Sequence, residues 1–330
     1  IYTTINSANL ILKHTPEISF TNEATRNEVM ANAYFLRAYC YFTLVRVFGD
    51  CPLLTSGFES EKQEDMYPSR TAASEVYAQV ETDIEEALRL MPASSKLLHK
   101  ASPAAINMLR TEYYLWKAKR LGGGNAALST AQSSVDAVLK AGYALLPTFA
   151  DIFNLNNEAN SELIWTLPYI VNENVTPGTS PNFFAYYLAP NGDRTRLREA
   201  GYTEDEVPAG SHAQYVVPTQ AYCDFLAEDA RDTRTDVSVR VFEDKFLTEE
   251  VQIKRMVVKF KGSFANDTRS FDSDVPVYRL AEAYLLKAEV ENALGNTDAA
   301  LQNLNVVAKR AYGVDNYYTA RTQDAIDNAI

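Results

Sequence analysis

The stretch that decides the fold runs from Arg26 to Thr55 and reads RNEVMANAYFLRAYCYFTLVRVFGDCPLLT. Residues 26–48 contain no Gly or Pro, so we predict one uninterrupted helix of about 20 residues, with Thr21 or Asn22 as its N-cap. Two apolar rows follow the helical period: Phe35, Tyr39 and Phe42, and Leu36, Cys40, Leu44 and Val47. A helix that is apolar on more than one side is covered by several partners, so we expect it at the centre of the fold. Gly49 and Pro52 end it.

Helical patterns recur through most of the remaining chain. We predict further helices over 2–13, 69–91, 101–121, 126–140, 217–234, 275–296 and 298–312. Because only the glycines at 122–124 separate two of them, those two must form a tight antiparallel hairpin. Helix pairs of this size match the scale of tetratricopeptide repeats, although the strict repeat consensus is absent. The sequence therefore predicts a mainly α fold of tetratricopeptide-like helix pairs, an α-α superhelix.

On the helix predicted at 275–296, the apolar positions are Leu280, Tyr284 and Ala288. The same helix carries four charged residues that we expect near its surface: Glu282, Lys287, Glu289 and Glu291.

The region from 143 to 274 has a different character. A short apolar run at 160–170 predicts a strand, and two more strands are expected at 237–243 and 252–262. Between them, residues 171–217 are rich in Pro and Gly but hold too many aromatic residues for a disordered linker. We therefore predict a single domain over 1–330, with a helical scaffold at 1–142 and 275–330 and a long irregular insertion with a small β element at 143–274.

Composition excludes some classes of partner. The net charge of −12 and the pI of about 4.9 disfavour nucleic acid and anionic membranes, since no basic patch is present. No run approaches the roughly 18 apolar residues of a membrane span. Ile1 is not a native start, and the final DAIDNAI carries no terminating signal, so we expect the chain to be incomplete at both ends.

The three cysteines, Cys40, Cys51 and Cys223, have spacings that fit neither a disulfide framework nor a zinc site. Cys40 is expected to be a small buried hydrophobe. Pairing of Cys51 with Cys40 or with Cys223 stays open at this point.

Residues 35–55, FLRAYCYFTLVRVFGDCPLLT, resemble the signature helix of the SusD/RagB family. Six further blocks resemble family segments in the same order: 2–12, 68–88, 102–119, 160–169, 217–234 and 274–313. The resemblance implies a surface lipoprotein of the Bacteroidetes outer membrane that binds glycans and delivers them to a SusC-like TonB-dependent transporter. The lipid anchor is implied by the resemblance alone.

No catalytic constellation is visible in the sequence. The histidines His14, His99 and His212 lie far apart, and the glycine run at 122–125 lies between helices rather than after a strand. The many carboxylate pairs at helical spacing are typical of solvated faces. We therefore expect a binding protein rather than an enzyme, with no cofactor and no metal.

The resemblance implies that ligand contacts lie in the irregular segment at 171–217. Sugars offer CH faces that stack on aromatic rings and hydroxyls that pair with planar polar groups. Both kinds are supplied by the candidate ligand-binding residues Asn182, Phe183, Tyr186, Tyr187, Asn191, Arg196 and Tyr215. The alternative for each of them is a structural role in anchoring the loop. Trp116 and Trp165 are interpreted as core residues.

Two other functions fit the same sequence. One is a peptide-binding member of the same family. The other is a tetratricopeptide-type scaffold for protein partners, which predicts a regular solenoid without a long ordered insertion.

Overall fold

We describe the protein from a computed structural model. It describes residues 1–60, 67–170, 186–187, 198, 201–203, 209–210, 217–244, 252–266, 268–270 and 272–330. The chain divides into two compact units. The first contains Ile1–Tyr143, Tyr278–Ala300 and Arg321–Ile330, and the second contains Ala144–Val277 and Leu301–Ala320.

The described residues are mainly helical, as predicted. The helices are α1 (Tyr2–His14), α2 (Glu23–Phe48), α3 (Ala73–Leu90), α4 (Pro103–Arg120), α5 (Gly124–Leu139), α6 (Gln220–Ala227), α7 (Thr235–Ser238), α8 (Leu280–Ala293), α9 (Thr297–Tyr312) and α10 (Gln323–Ala329). Within the first unit α2 packs against α1 and α3, α4 packs against α5, and α5 packs against α8. Pairwise packing of neighbouring helices agrees with the tetratricopeptide-like architecture.

Helix α2 is the long uninterrupted helix that the sequence predicts. The Asn22 side chain accepts a hydrogen bond from the Ala24 N–H at 2.9 Å, which confirms Asn22 as the N-cap. At the other end Gly49 takes φ 66°, a backbone conformation that favours glycine. Aromatic and small residues along the helix are buried: Ala31, Ala33, Phe35, Ala38, Cys40, Tyr41, Phe42, Leu44 and Val45. Val47 is 67% exposed, so its assignment to a buried row is wrong.

A buried ion pair ties α2 to α3. Arg37 donates from Nε and Nη2 to the two carboxylate oxygens of Asp83, at 2.7 and 2.6 Å. Its Nη1 donates to Asn9 Oδ1 at 2.8 Å, and Asn9 Nδ2 in turn donates to the carbonyl oxygens of Leu54 and Ser56. The network therefore fixes the loop that follows α2.

The hairpin of α4 and α5 is confirmed. Gly122 and Gly124 take φ 75° and 53°, which lets the chain reverse within three residues. An apolar cluster then forms between α4, α5 and α8, from Leu115, Leu128, Ala131 and Val290. The tight turn is what brings α5 back along α4.

The described strands of the chain form four two-stranded sheets, which lie mainly in the second unit. Strand β1 (Leu163–Leu167) pairs with β8 (Val275–Arg279), whose first three residues belong to this unit. Strands β2 (Tyr186–Tyr187) and β3 (Ala209–Gly210) are parallel. Strands β4 (Val239–Asp244) and β5 (Gln252–Val257) are antiparallel, as are β6 (Ser263–Ala265) and β7 (Thr268–Ser270). The predicted strands at 160–170, 237–243 and 252–262 are confirmed in type, with shorter bounds.

The helix predicted at 217–234 is too long. It ends at Ala227 because two Asp–Arg pairs stabilise turns that follow it. Asp229 Oδ1 accepts from both the backbone N and the Nε of Arg231 at 2.9 Å, and Asp232 binds Arg234 in the same way. An aspartate that bonds the backbone two residues later favours a turn over a continued helix.

The helix predicted at 275–296 begins only at Leu280, because Val275–Arg279 forms strand β8. The predicted surface placement is also wrong for Lys287 and Glu291, whereas Glu289 is 30% exposed and pairs with Lys119. Glu291 is 4% exposed, and it accepts hydrogen bonds from Gln132 Nε2 at 2.8 Å and from Asn296 Nδ2 at 2.7 Å. The Lys287 side chain is 12% exposed and bridges Asp136 and Glu291. Polar partners on α5 allow these charges to be buried.

The three cysteines are free and buried, which settles the pairing that the sequence left open. Trp165 is 3% exposed and belongs to the core, as interpreted. Trp116 is half-buried and donates from Nε1 to the Tyr77 hydroxyl at 3.0 Å.

Candidate functional site

Most of the ligand-binding residues predicted from the sequence are not among the residues that the structure describes. Asn182, Phe183, Asn191, Arg196 and Tyr215 lie outside the described residues. Tyr186 and Tyr187 form strand β2, whose backbone pairs in register with Ala209 and Gly210. A ligand-binding role for this set stays a prediction.

The second unit contains a cavity of about 960 Å³. Its walls come from three segments, 150–158, 236–240 and 258–272, together with Thr203. The volume falls in the usual range of small-molecule sites, roughly 300–1,000 Å³. Because the segments lie far apart in the sequence, no local motif could have indicated this cavity.

Carboxylates, amides and cationic side chains line the cavity. They are the carboxylates Asp151, Glu158, Asp236 and Asp272, the amides Asn154 and Asn156, and the cations Arg240, Lys259 and Lys261. Such a wall supplies both donors and acceptors to a ligand.

Two of the carboxylates are oriented by their own loops. Asp272 accepts from the backbone N and the Oγ of Ser263, both at 2.7 Å. Glu158 Oε1 accepts from the backbone N of Asp274 at 2.9 Å. These bonds connect residues 263 and 272, and residues 158 and 274.

An aromatic cluster supports one wall. Phe153 packs edge-to-face against Phe149 and Phe260, with ring centroids 5.2 and 5.5 Å apart. The Lys259 ammonium lies 5.5 Å from the Phe153 centroid, within the range of a cation–π contact. Phe264 also lines the cavity. Apolar and polar groups are thus combined at one site.

Arg240 occupies an unusual position for a charged residue. In the β4–β5 hairpin it pairs with Met256 and shares a face with Phe242, and those two residues are 0% and 4% exposed. Arg240 is half-buried, and its Nε is buried without a hydrogen-bond partner among the residues that the structure describes. The alternation of VRVFE already places Arg240 on the side of Phe242, and this signal was available in the sequence.

In the first unit a second cavity, of about 580 Å³, is lined by α1, by α2 and by the loop after α2. Tyr34 and Arg37 of α2 line it together with Thr55, Ser56 and Gly57. The helix that decides the fold therefore also reaches a concave surface.

The described residues limit other kinds of site. Among them, no group of three or more His, Cys, Asp or Glu side chains is arranged to hold a metal ion. Within the same residues, no helix combines the length and the apolar character needed to cross a membrane.

Comparison with known proteins gives two family matches. Residues 1–114 match a SusD-like model described as starch-binding and associating with the outer membrane. Residues 244–330 match a model described as the SusD family. The two matches together cover well over half of the chain and flank the segment that contains Arg240.

Individual relatives agree with these matches. The SusD-like protein P25 of Formosa agariphila is 26% identical over 98% of this chain and 63% of its own length. Among solved structures, NanU of B. fragilis gives a TM-score of 0.79 at 28% identity, covering 94% of this chain and 64% of its own. A SusD superfamily protein of Bacteroides vulgatus also gives 0.79, at 29% identity, covering 95% of this chain and 65% of its own. The chain thus spans about 63% of the length of the curated relative.

Proposed function

The chain belongs to the SusD family, and from this premise we propose that it binds glycans at the outer-membrane surface without chemically changing them. Because the chain covers only part of its relatives' length, the activity of the whole protein is a proposal too. The observation that carries the glycan assignment is the polar cavity of about 960 Å³ in the second unit.

The chemistry of the cavity suits a polyhydroxylated ligand. Each sugar hydroxyl both donates and accepts a hydrogen bond, and the amide Asn156 and the carboxylate Asp236 offer the matching groups. Phe153 and Phe264 add apolar surface for the CH faces of a sugar ring. Binding is the function that these residues support.

The family also suggests the partner and the location. One family model is described as associating with the outer membrane, and this description supports a position at the cell surface. We propose in addition that the protein is held there by a lipid anchor. In that setting the protein would pass its glycan to a SusC-like TonB-dependent transporter. The residues predicted from the sequence at 182–215, among them Tyr186 and Arg196, would add further ligand contacts.

Isothermal titration with a panel of neutral and acidic oligosaccharides, and with peptides, tests this proposal. We expect saturable binding of at least one oligosaccharide. The Asn156→Ala variant, which removes a cavity amide, should weaken that binding, whereas Asn125→Ala, an exposed amide of the first unit, should not.

If the protein binds peptides and no oligosaccharide, the result would support the alternative function, a peptide-binding member of the same family. No binding to any member of the panel would favour a scaffold for protein partners. Equal binding by the Asn156→Ala variant would show that the glycan site lies elsewhere in the chain.

A further inference from the structure

We propose that the cavity of the second unit selects anionic sugars, those that carry a carboxylate or sulfate group, through the guanidinium of Arg240. This inference rests on the proposed function, because it names the substrate class of the same site. Its starting point is the position of Arg240 on the buried side of the β4–β5 hairpin.

A charged group is costly to remove from water unless an opposite charge or hydrogen bonds replace the water. Arg240 is half-buried beside Phe242 and Met256, and no described carboxylate forms an ion pair or hydrogen bond with it. Two other arginines with buried side chains, among the residues that the structure describes, are compensated. Arg37 is paired with Asp83, and Arg310 with Glu162. Arg240 therefore differs from them in lacking a counter-ion within the described chain.

The neighbouring carboxylates do not supply that counter-ion. Both oxygens of Asp272 accept from Ser263, and Glu158 accepts from the backbone of Asp274. Asp151 and Asp236 also line the cavity, but neither forms a hydrogen bond or an ion pair with Arg240. The Lys259 and Lys261 side chains add positive charge to the same walls. The same walls also carry four carboxylates, so the attraction for an anion is assigned to the uncompensated guanidinium of Arg240 and not to the net charge of the cavity.

The geometry of the donor favours a carboxylate or sulfate over a hydroxyl. A guanidinium presents parallel N–H groups that match two oxygens of one anion, and such charge-assisted pairs are about twice as strong as neutral hydrogen bonds. A sugar hydroxyl offers one neutral oxygen. Because Arg240 shares the cavity with Phe153, Phe264 and amide side chains, the structure points to an anion carried on a sugar ring.

The test follows the Arg240 Nε–H signal by ¹⁵N NMR on the full chain, with the signal assigned by its loss in Arg240→Gln. The probes are D-glucose, D-glucuronate and D-glucose 6-sulfate, which share a ring and differ at C6. We expect glucuronate, glucose 6-sulfate or both to shift the signal saturably, and glucose at the same concentration to leave it unchanged. Arg240→Gln should weaken binding of the acidic sugar about 10-fold or more, Arg240→Lys less, and the exposed Arg120→Gln not at all.

Equal shifts with glucose and both acidic sugars, or no shift with any of them, would overturn the selection of anionic sugars. So would unchanged binding of the acidic sugar by Arg240→Gln. A stronger response to N-acetylglutamate than to the acidic sugars would assign the site to peptide carboxylates and also overturn it.

The selection of anionic sugars and the binding of glycans can fail independently of each other. If the oligosaccharide panel identifies a neutral glycan whose affinity is unchanged in Arg240→Gln, glycan binding stands and the present inference fails. If no oligosaccharide binds but glucuronate shifts the Arg240 signal, the anion site stands and the proposed function fails.

Discussion

Replacing Asp83 by alanine should destabilise the first unit strongly, because it leaves the Arg37 guanidinium buried without its counter-ion. The Arg37 and Asp83 side chains are 7% and 0% exposed, and two hydrogen bonds of 2.7 and 2.6 Å join them. Arg37 also donates a hydrogen bond to Asn9 Oδ1, and Asn9 Nδ2 donates to the carbonyl oxygens of Leu54 and Ser56. Loss of Asp83 is therefore expected to loosen the loop after α2 as well.

The size of the expected loss in unfolding free energy follows from the burial of the Arg37–Asp83 ion pair. Removing one partner of a buried ion pair costs about 3–5 kcal/mol, whereas the whole unfolding free energy of a domain is about 5–15 kcal/mol. With a urea dependence of about 3 kcal/mol per M, the midpoint of unfolding should fall by about 1–2 M. Replacing both partners by apolar residues, Arg37→Met with Asp83→Leu, should recover most of that loss, because no charge is then left unpaired.

Urea unfolding followed by circular dichroism measures these effects. The matched control is Glu86→Ala on the same helix, which removes an exposed pair with Arg89 whose side chains are 36% and 64% exposed. That change should leave the midpoint within experimental error, because exposed pairs contribute little. A loss of less than about 1 kcal/mol for Asp83→Ala, or a double variant no more stable than the single one, would show that the buried charge is not what makes the substitution costly.

Two further predictions concern the first unit. Burial and the neighbouring Glu112 raise the pKa of Glu282 from 4.5 to about 7, so the folded protein holds a proton that the unfolded chain loses above pH 4.5. Stability should therefore decrease by about 3 kcal/mol as the pH rises from 4.5 through 7. Glu282→Gln should make this decrease smaller in urea unfolding at pH 5 and pH 8, and an unchanged pH dependence would contradict the assignment. A Cβ at Gly57 would lie 2.6 Å from Leu10 Cδ2 and 3.0 Å from the Leu10 backbone N, so Gly57→Ala should cost about 1–3 kcal/mol through steric overlap. Gly122→Ala meets no atom within 4 Å and should cost about 1 kcal/mol, through its φ of 75° alone, in the same assay. Equal losses for the two variants would argue against the close approach at Gly57.

Local signals in the sequence were sufficient for the helices of residues 1–142. The absence of Gly and Pro over 26–48 predicts α2, and Asn22 and Gly49 mark its two ends. The three glycines at 122–124 predict the hairpin of α4 and α5. These features depend on backbone conformations and on capping hydrogen bonds between residues close in sequence. A local sequence pattern can therefore predict them.

Other elements were mispredicted because a more distant partner outweighed the local pattern. Residues 275–279 continue the apolar period of α8, but their pairing with β1 makes them a strand. Glu291 has the spacing of a surface residue, but its bonds to Gln132 and Asn296 compensate its burial. Such partners have no signature within the segment itself.

By itself, the sequence determined the helix-rich class of the fold, the course of α2 and the family resemblance, because helical period, glycine and capping residues act over a few residues. The tertiary structure alone decided where a ligand cavity lies. Its walls at 150–158, 236–240 and 258–272 come together only when the second unit has folded. The sequence places Arg240 on the face of Phe242, but only the structure shows that no described carboxylate neutralises it. Compensation of a buried charge depends on every neighbour in space, and that information belongs to the folded chain.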